Sequence, residues 1–428
     1  MIEEFSFGNF WSFKDIQTLN MSAAKIKSKN AELDKNNIFS IEEDLSLLKS
    51  KAIYGANASG KSNVIRALGF FKRIIKDSVK DEQILDLIYS FRLSTETEGK
   101  PTFFQLIFRI DKTRYRYGFE ADYNSIKSEW LFSTPNKREQ ALFIRENNLI
   151  VEINQTHFEE GALYQKLFKG SEDPIFTDTS LFLTHLASTG FGKLSKQIVN
   201  SISSIPIISD IVQTEMFGIV WNSLSDAVAK KFILNFLKKV DIDLSDIEPV
   251  EFSSANLPEN LDDDVKDGLK NLKIIVSSRK KYNKELDNVG MAKFAFNMQE
   301  SEGTKKMLEL SPFIYKSLKE GTPLFIDEFD AKFHPLLTKK IVELYNSTEN
   351  KKAQLIFVTH DTNLLSSDLL RRDQIDFVEK DKYGASHLYT LVEIKGVRND
   401  ASFEKDYIQG KYGAIPFLGD FTKLMTFE

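Results

Sequence analysis

Three short stretches of this 428-residue chain place chemically useful residue types at meaningful spacing. The first is Gly55-Ala56-Asn57-Ala58-Ser59-Gly60-Lys61-Ser62, followed by Asn63. It fits the pattern G-x-x-x-x-G-K-[ST], a loop whose backbone wraps phosphate. Backbone N–H groups at a helix start point at an anion there, and the helix dipole favours negative charge. Lys61 is placed to reach terminal phosphates, and the Ser62 hydroxyl to ligate Mg²⁺. Gly60 keeps a Cβ out of the space where the backbone closes on phosphate. The pattern therefore predicts ATP-type chemistry lined by Gly55, Asn57, Ser59, Gly60, Lys61, Ser62 and Asn63.

The second stretch, Gly321-Thr322-Pro323-Leu324-Phe325-Ile326-Asp327-Glu328, is an apolar run ending in two carboxylates. A buried strand ending in acids is costly without a cation or hydrogen-bond donors. Asp327 is expected to hold Mg²⁺, directly or through water, and Glu328 to polarise an attacking water. The third, Gln354-Leu355-Ile356-Phe357-Val358, runs into Thr359-His360-Asp361. A His at the carboxyl end of a parallel strand faces the crevice where ligands bind, so His360 is a candidate γ-phosphate contact. A weaker fourth signal is Ser301-Glu302-Gly303-Thr304, a second helix start suited to anions or to plain capping.

These residues need elements to hold them. Leu47-Leu48 and Ala52–Tyr54 read as a strand before the loop, and Ser62 through Phe71 or beyond as a helix after it. Residues 2–22 alternate apolar and polar and predict two strands joined near Phe13–Asp15. Pro101–Ile110 and Thr113–Glu120 predict a hairpin, extended into a meander by Ser125–Phe132 and Glu139–Ile144. Ser223–Val240 predicts a helix with a Val228, Phe232, Phe236, Val240 stripe and Ser225 as N-cap. Val265–Asn288 is expected to be largely helical, with Arg279-Lys280-Lys281 on a solvated face or against nucleic acid. Asp330 to Pro335 predicts a turn opening a helix.

Composition narrows the classes further. With 42% hydrophobic and 28% charged residues the chain reads as globular, and a net charge of −5 argues against a strongly basic nucleic-acid binder. The absence of cysteine excludes disulfides, zinc fingers and thiol nucleophiles, and fits a reducing cytoplasm. No signal peptide and no span of about 20 apolar residues is visible, so a cytoplasmic location without membrane contact is expected.

The order of these motifs resembles the ABC-type ATPase heads of the SMC, RecF and OLD class. Asn9-Phe10-Trp11-Ser12-Phe13 looks like that class's first-strand pattern. Within it the chain is similar to bacterial AAA-type ATP-binding proteins of the AbiL/RloA kind, found in phage-defence and abortive-infection loci. The matching pieces are Tyr54–Asn63, Arg116–Glu120, Ser301–Thr304, Asp327–Asp330 and Tyr407–Pro416, the last being the more discriminating. The resemblance implies a head-to-head dimer, or a higher oligomer, with ATP between one protomer's phosphate loop and the other's Ser301, Gly303 and Thr304. Asp330 would stand for the D-loop and His360 for the switch histidine. Glu302 and Trp11 depart from the general pattern, Trp11 standing where related heads often carry Arg. Either Gln105 or Thr184-His185 is a candidate for the Q-loop.

The expected fold class is α/β, a P-loop ABC-type ATPase head with an antiparallel β subdomain and a largely helical insertion. The expected divisions are an N-terminal lobe over 1–154, the insertion over 155–290 and a C-terminal lobe over 291–428. By resemblance, the expected role is the ATPase sensor or regulator of an anti-phage system. Its effector would be a separate TOPRIM-like nuclease, with DNA or a phage component as the trigger. The alternatives are a DNA-repair ATPase of RecF or SMC type, and a scaffold that assembles on ATP without hydrolysing it.

Overall fold

A computed structural model describes residues 1–167, 176–209, 213–251, 272–331, 333–416 and 419. In chain order the strands and longer helices begin with β1 (Ile2–Gly8), β2 (Gln17–Asn20), β3 (Ile38–Ser40), β4 (Ser46–Leu48), β5 (Ser50–Gly55) and α1 (Lys61–Asp77). Five strands follow, β6 (Thr102–Ile110), β7 (Thr113–Ala121), β8 (Ile126–Thr134), β9 (Gln140–Glu146) and β10 (Leu149–Ile153). Next come α2 (Glu159–Leu167), α3 (Phe182–Ser188), α4 (Lys193–Ser203), β11 (Ile207–Ile208), α5 (Gln213–Ser225) and α6 (Ala227–Lys239). Then follow β12 (Asp246–Glu251), β13 (Lys273–Tyr282), β14 (Asn288–Ala295) and α7 (Glu302–Glu320). The chain continues through β15 (Leu324–Ile326), α8 (Pro335–Asn346), β16 (Leu355–Val358), β17 (Ile375–Lys380), β18 (Ser386–Thr390) and α9 (Phe403–Ile408).

The chain divides into two compact units. One contains residues 1–207, 321–329 and 339–428; the other contains 208–320 and 330–338. The first unit holds a seven-stranded antiparallel sheet ordered β10-β9-β8-β7-β6-β1-β2. The mixed sheet runs β11-β15-β16-β5-β17-β18. Its β15, β16, β5 and β17 are parallel neighbours, and β18 returns antiparallel to β17. The fold is thus mixed α/β with an antiparallel sheet, as the sequence implies.

Helix α1 forms because its apolar residues recur at helical spacing. Val64, Ile65, Leu68, Phe71 and Ile75 are buried together. That face packs on phenylalanines from the antiparallel strands: Phe71 stacks on Phe119 at 5.6 Å and lies 5.7 Å from Phe5. The fully buried Phe7, Phe10, Phe13 and Phe104 belong to the same core. So do Leu181, Phe182, Ile198 and Ile202, which brings residues beyond 154 into the first unit. A buried ion pair fixes the entry to α3. Glu129 of β8 accepts from the backbone N–H groups of Phe182 and Leu183 and from Arg145 and the Tyr117 hydroxyl. Burial pushes the Glu129 carboxyl up, and Arg145 and these donors oppose the shift.

The second unit corrects three expectations. Residues 273–282 and 288–295 are strands of a three-stranded sheet, β12-β13-β14, not a helix. Their Lys and Arg content signals solvent exposure, whereas the run Ile274-Ile275-Val276 supplies β-branched residues for pairing with β12. Residues 265–271 lie outside the described residues. Arg279 accordingly sits on a strand, bonded to Glu300 at 2.7 Å. In α6 the N-cap is Asp226, whose carboxylate accepts from Val228 and Ala229 N–H, while the Ser225 hydroxyl bonds the Trp221 carbonyl. The buried stripe is Ala229, Ile233 and Leu237, one position along from the expected one, and Val228 is exposed. Packing decides which stripe is buried, and Phe232 and Phe236 flank it, with Phe232 against Tyr315 of α7. Among the described residues no helix is long and apolar enough to cross a membrane.

Candidate functional site

Strand β5 delivers the phosphate loop from the centre of the parallel sheet, between β16 and β17. All six of its residues are buried. The loop then turns through Gly55, Ala58 at φ 61° and Gly60 at φ 107° into α1. A Cβ on Gly60 would lie 2.5 Å from Ser386 Oγ and 2.6 Å from Ser12 Oγ, so only glycine fits this left-handed position. Two serines distant in sequence, Ser12 in the β1–β2 turn and Ser386 at the start of β18, clasp the loop. Ser386 Oγ donates to the Ser59 carbonyl at 2.5 Å, and Ser12 Oγ accepts from Asn63 Nδ2 at 2.8 Å. Ser386 N–H in turn donates to the Ser12 carbonyl.

Lys61 is buried, and its ammonium donates to the Gly55 and Ala56 carbonyls, each at 2.7 Å. The folded-back side chain keeps the charge at the mouth of the loop. Ser62 Oγ donates to Asp327 Oδ1 at 3.0 Å, joining residues 265 positions apart. The apolar residues of β15 are buried, and Phe329 anchors the chain beyond the acids by packing 4.8 Å from Phe357 and donating its N–H to the Val358 carbonyl. Asp327 and Glu328 are therefore held at the carboxyl edge of the sheet between two buried anchors. Glu328 takes a φ of 50°, and its N–H bonds Asp327 Oδ1 at 3.1 Å.

Strand β16 pairs with β5 through Val358 and Ile53, bringing Thr359-His360 to the same edge as Gly55. His360 is exposed, and its neighbours are pinned. Thr359 N–H donates to the Ile53 carbonyl, and the Tyr54 hydroxyl donates to the Asp361 carbonyl at 3.0 Å. The Asp361 carboxylate caps the following turn at Asn363.

Lys61, Ser62, Asp327, Glu328 and His360 thus come from three adjacent strand ends of one sheet. Their arrangement fits a nucleotide with Mg²⁺. Cis ligands of an octahedron with metal–oxygen bonds of about 2.0–2.1 Å lie about 2.9 Å apart, close to the Ser62–Asp327 separation. Ser59 Oγ is buried without a hydrogen-bond partner among the described residues, at the position where the loop's lining would meet phosphate.

Four other expected residues, Ser301, Gly303, Thr304 and Asp330, belong to the second unit. Ser301 Oγ accepts from Thr304 N–H at 3.2 Å and contacts the Thr304 hydroxyl at 2.9 Å, so it caps α7. Glu302 is exposed and paired with Lys305, and Gly303 lies in the first turn. The Asp330 carbonyl accepts from Phe333 N–H in the turn before α8. Neither Q-loop candidate lies in a loop. Gln105 is in β6, accepting from Trp130 and Arg116. Thr184 in α3 donates to the Ile75 carbonyl, and His185 bonds the Tyr164 hydroxyl. Ser386 is the site residue that sequence reasoning missed. It follows a plain Gly-Ala turn in β18, and only the antiparallel return of that strand brings it to the loop.

Sheet, loop and convergent carboxylates define a P-loop protein, its candidate site at the ends of β5, β15 and β16. Residues 52–205 and 233–366 match the family described as "AAA domain, putative AbiEii toxin, Type IV TA system", and the chain belongs to that family. No curated protein matches the chain. Among solved structures the chain is similar to the SMC head domain from Thermotoga maritima, at 12% identity and a TM-score of 0.38, over 91% of this chain and 98% of that one. It is also similar to the SMC head bound to the C-winged helix domain of ScpA, at 15% identity and a TM-score of 0.40, over 91% of this chain and 97% of that one.

Proposed function

We propose that this protein is an ABC-type ATPase that binds Mg-ATP at the edge of the parallel sheet and hydrolyses it to ADP and phosphate. The observation that carries this reading is the 3.0 Å contact between Ser62 of the phosphate loop and Asp327 at the end of β15. Two side-chain oxygens at that spacing beside a buried lysine suit a metal-bound polyphosphate. Ser62 and Asp327 would hold Mg²⁺, which would supply positive charge against that developing on the phosphates. Gly55, Asn57, Ser59, Gly60 and Asn63 line the loop and orient the phosphates. Lys61 swings its ammonium from the loop carbonyls to the terminal phosphates. Glu328 orients the attacking water and accepts its proton, and His360 donates to the γ-phosphate.

Dimerisation around ATP, with a partner protomer's Ser301, Gly303, Thr304 and Asp330 closing the site, is part of this proposal on the strength of the resemblance. So is a role as sensor or regulator of an anti-phage system with a separate effector nuclease. The family's description names an AbiEii toxin of a type IV toxin–antitoxin system, which supports a setting in abortive infection. The direct test is purification with Mg-ATP from the native host of the Glu328→Gln variant, which retains the metal pair. A co-purifying nuclease or toxin supports the regulator reading. Recovery of DNA without a protein partner overturns it in favour of a repair-type ATPase.

A further inference from the structure

We propose that Tyr54 and the segment 403–414 form a clamp that positions His360, so that turnover at the nucleotide site depends on how that segment is seated. This rests on the reading of His360 as the γ-phosphate contact. The residue before the histidine and the residue after it are both tied to β5, the strand that delivers the phosphate loop. Thr359 N–H donates to the Ile53 carbonyl. The Asp361 carbonyl accepts from the Tyr54 hydroxyl at 3.0 Å and from Leu364 N–H at 3.3 Å. The histidine is thereby keyed to two successive residues that lead directly into Gly55.

Tyr54 is itself held by later residues. Ile53 belongs to the core that takes the buried face of α1, so Tyr54, next along the strand, faces the other side of the sheet. There it pairs in register with Phe377 of β17, and its ring lies 6.3 Å from Phe377 and 5.9 Å from Tyr407 of α9. Tyr407 stacks on Phe377 at 5.4 Å, and its hydroxyl donates to the Ala414 carbonyl at 3.0 Å. A second tie runs from the same helix to the turn after the histidine, where the Thr362 hydroxyl donates to Glu404 Oε1 at 3.0 Å. Residues 403–414 therefore touch both the strand that precedes the phosphate loop and the turn that follows His360.

The turn that closes this segment is strained. Ala414 is fully buried at φ 57°, a left-handed conformation that residues with a Cβ rarely take, and Gly413 before it has φ 70°. A Cβ on Gly413 would lie 2.7 Å from Glu379 Oε2 and 2.8 Å from the Tyr389 hydroxyl, which donates to the Tyr412 carbonyl. Backbone strain of this kind persists where the surroundings over-determine it, and it gathers at functional sites. What the strained turn secures is the Tyr407 hydroxyl, through the Ala414 carbonyl, and so the ring that lies against Tyr54. Misplacing a reacting group by about 1 Å can cost about a hundred-fold in rate. A clamp on the histidine's backbone therefore governs turnover and leaves phosphate binding to the loop.

The test is steady-state phosphate release and calorimetric Mg-ATP affinity for wild type, Tyr54→Phe, His360→Ala and the double variant. Tyr54→Phe keeps the ring and loses the tie to Asp361, so kcat should fall about ten-fold while the Kd for ATP stays within about two-fold. His360→Ala should lower kcat about a hundred-fold, and adding Tyr54→Phe to it should change kcat by less than about two-fold, because the clamp acts through the histidine. An unchanged kcat in Tyr54→Phe, or the same loss from Tyr54→Phe with His360 present and absent, would overturn the clamp. Should Tyr54→Phe not fold, Glu404 decides. Glu404→Ala should lower kcat about three-fold, and Glu404→Gln, which keeps an acceptor for Thr362, should restore it. Wild-type kcat in Glu404→Ala, or a Glu404→Gln as slow as Glu404→Ala, would then overturn the clamp. Wild-type kcat in His360→Ala would instead overturn the reading of the histidine itself, and the clamp with it, so the two failures are distinguishable.

Discussion

Replacing Lys61 by Met keeps the aliphatic stem and removes only the ammonium. In the structure that ammonium has two carbonyl partners, Gly55 and Ala56, at 2.7 Å each. Engaging phosphate means trading these bonds for charge-assisted ones to an anion. Removing one partner of a desolvated, hydrogen-bonded charge pair costs about 2–5 kcal/mol of binding. Because Lys61 gives up two good acceptors to engage, the lower part of that range applies, about 2–3 kcal/mol, or roughly 30- to 150-fold in Kd. Titration calorimetry with Mg-ATP reads this directly, and thermal denaturation supplies an independent check. At an ATP concentration 100 times the wild-type Kd, linkage stabilises the folded protein by about 2.7 kcal/mol, and a 100-fold weaker variant retains about 0.4 kcal/mol. The ATP-dependent rise in melting temperature should therefore nearly vanish in Lys61→Met. An ATP affinity within about three-fold of wild type, with the thermal shift intact, would refute the assignment of Lys61 to phosphate.

Three further outcomes follow from named contacts. Glu328→Gln with Mg-ATP should accumulate as a dimer in light scattering, because the metal pair survives and the base is lost; the same mass as wild type under all conditions would count against closure around ATP. Lys51 and Asp376 form a 2.8 Å ion pair across β5 and β17, and Asp376 also accepts from the Thr390 hydroxyl. Both groups are fully buried, so Asp376→Ala should destabilise by about 3–5 kcal/mol in chemical denaturation, and Lys51→Met with Asp376→Leu should recover much of it. Lys49 has its pKa lowered by burial, then by Lys351, from 10.5 to about 8. Between those values the unfolded chain holds a proton that the folded protein has released, so this group's contribution to stability rises with pH across that window. Lys49→Met should flatten the rise, and an unchanged slope would refute it.

The phosphate loop, the acid pair and the histidine strand were legible because each couples a local pattern to a buried strand, and burial patterns are written in sequence. The first-strand hairpin and the meander were legible for the same reason. Residues 273–295 were misread because Lys, Glu and Asn mark exposure without marking period, and the β-branched Ile274–Val276 decided the matter through pairing with β12. In α6 the cap was misplaced because Ser225 and Asp226 are both competent caps, and the stripe because Val228/Phe232/Phe236 and Ala229/Ile233/Leu237 are neighbouring apolar rows between which only packing decides. Ser386 was invisible because its role depends on β18 returning beside β5's neighbour. The Tyr407–Pro416 stretch proves to be a packed turn: Tyr407 stacks on Phe377 and donates to the Ala414 carbonyl, and Tyr389 donates to the Tyr412 carbonyl. Gly410 and Gly413 take positive φ in that turn, and nothing local in the sequence shows which strand its aromatic residues cover.

The measurement that bears most directly on the central proposal is phosphate release by wild type and Glu328→Gln, paired with ATP binding by both. The account predicts Mg²⁺-dependent release by wild type, loss of release in Glu328→Gln, and undiminished ATP binding in the variant. Equal release by the two proteins, or no ATP binding by either, would contradict it.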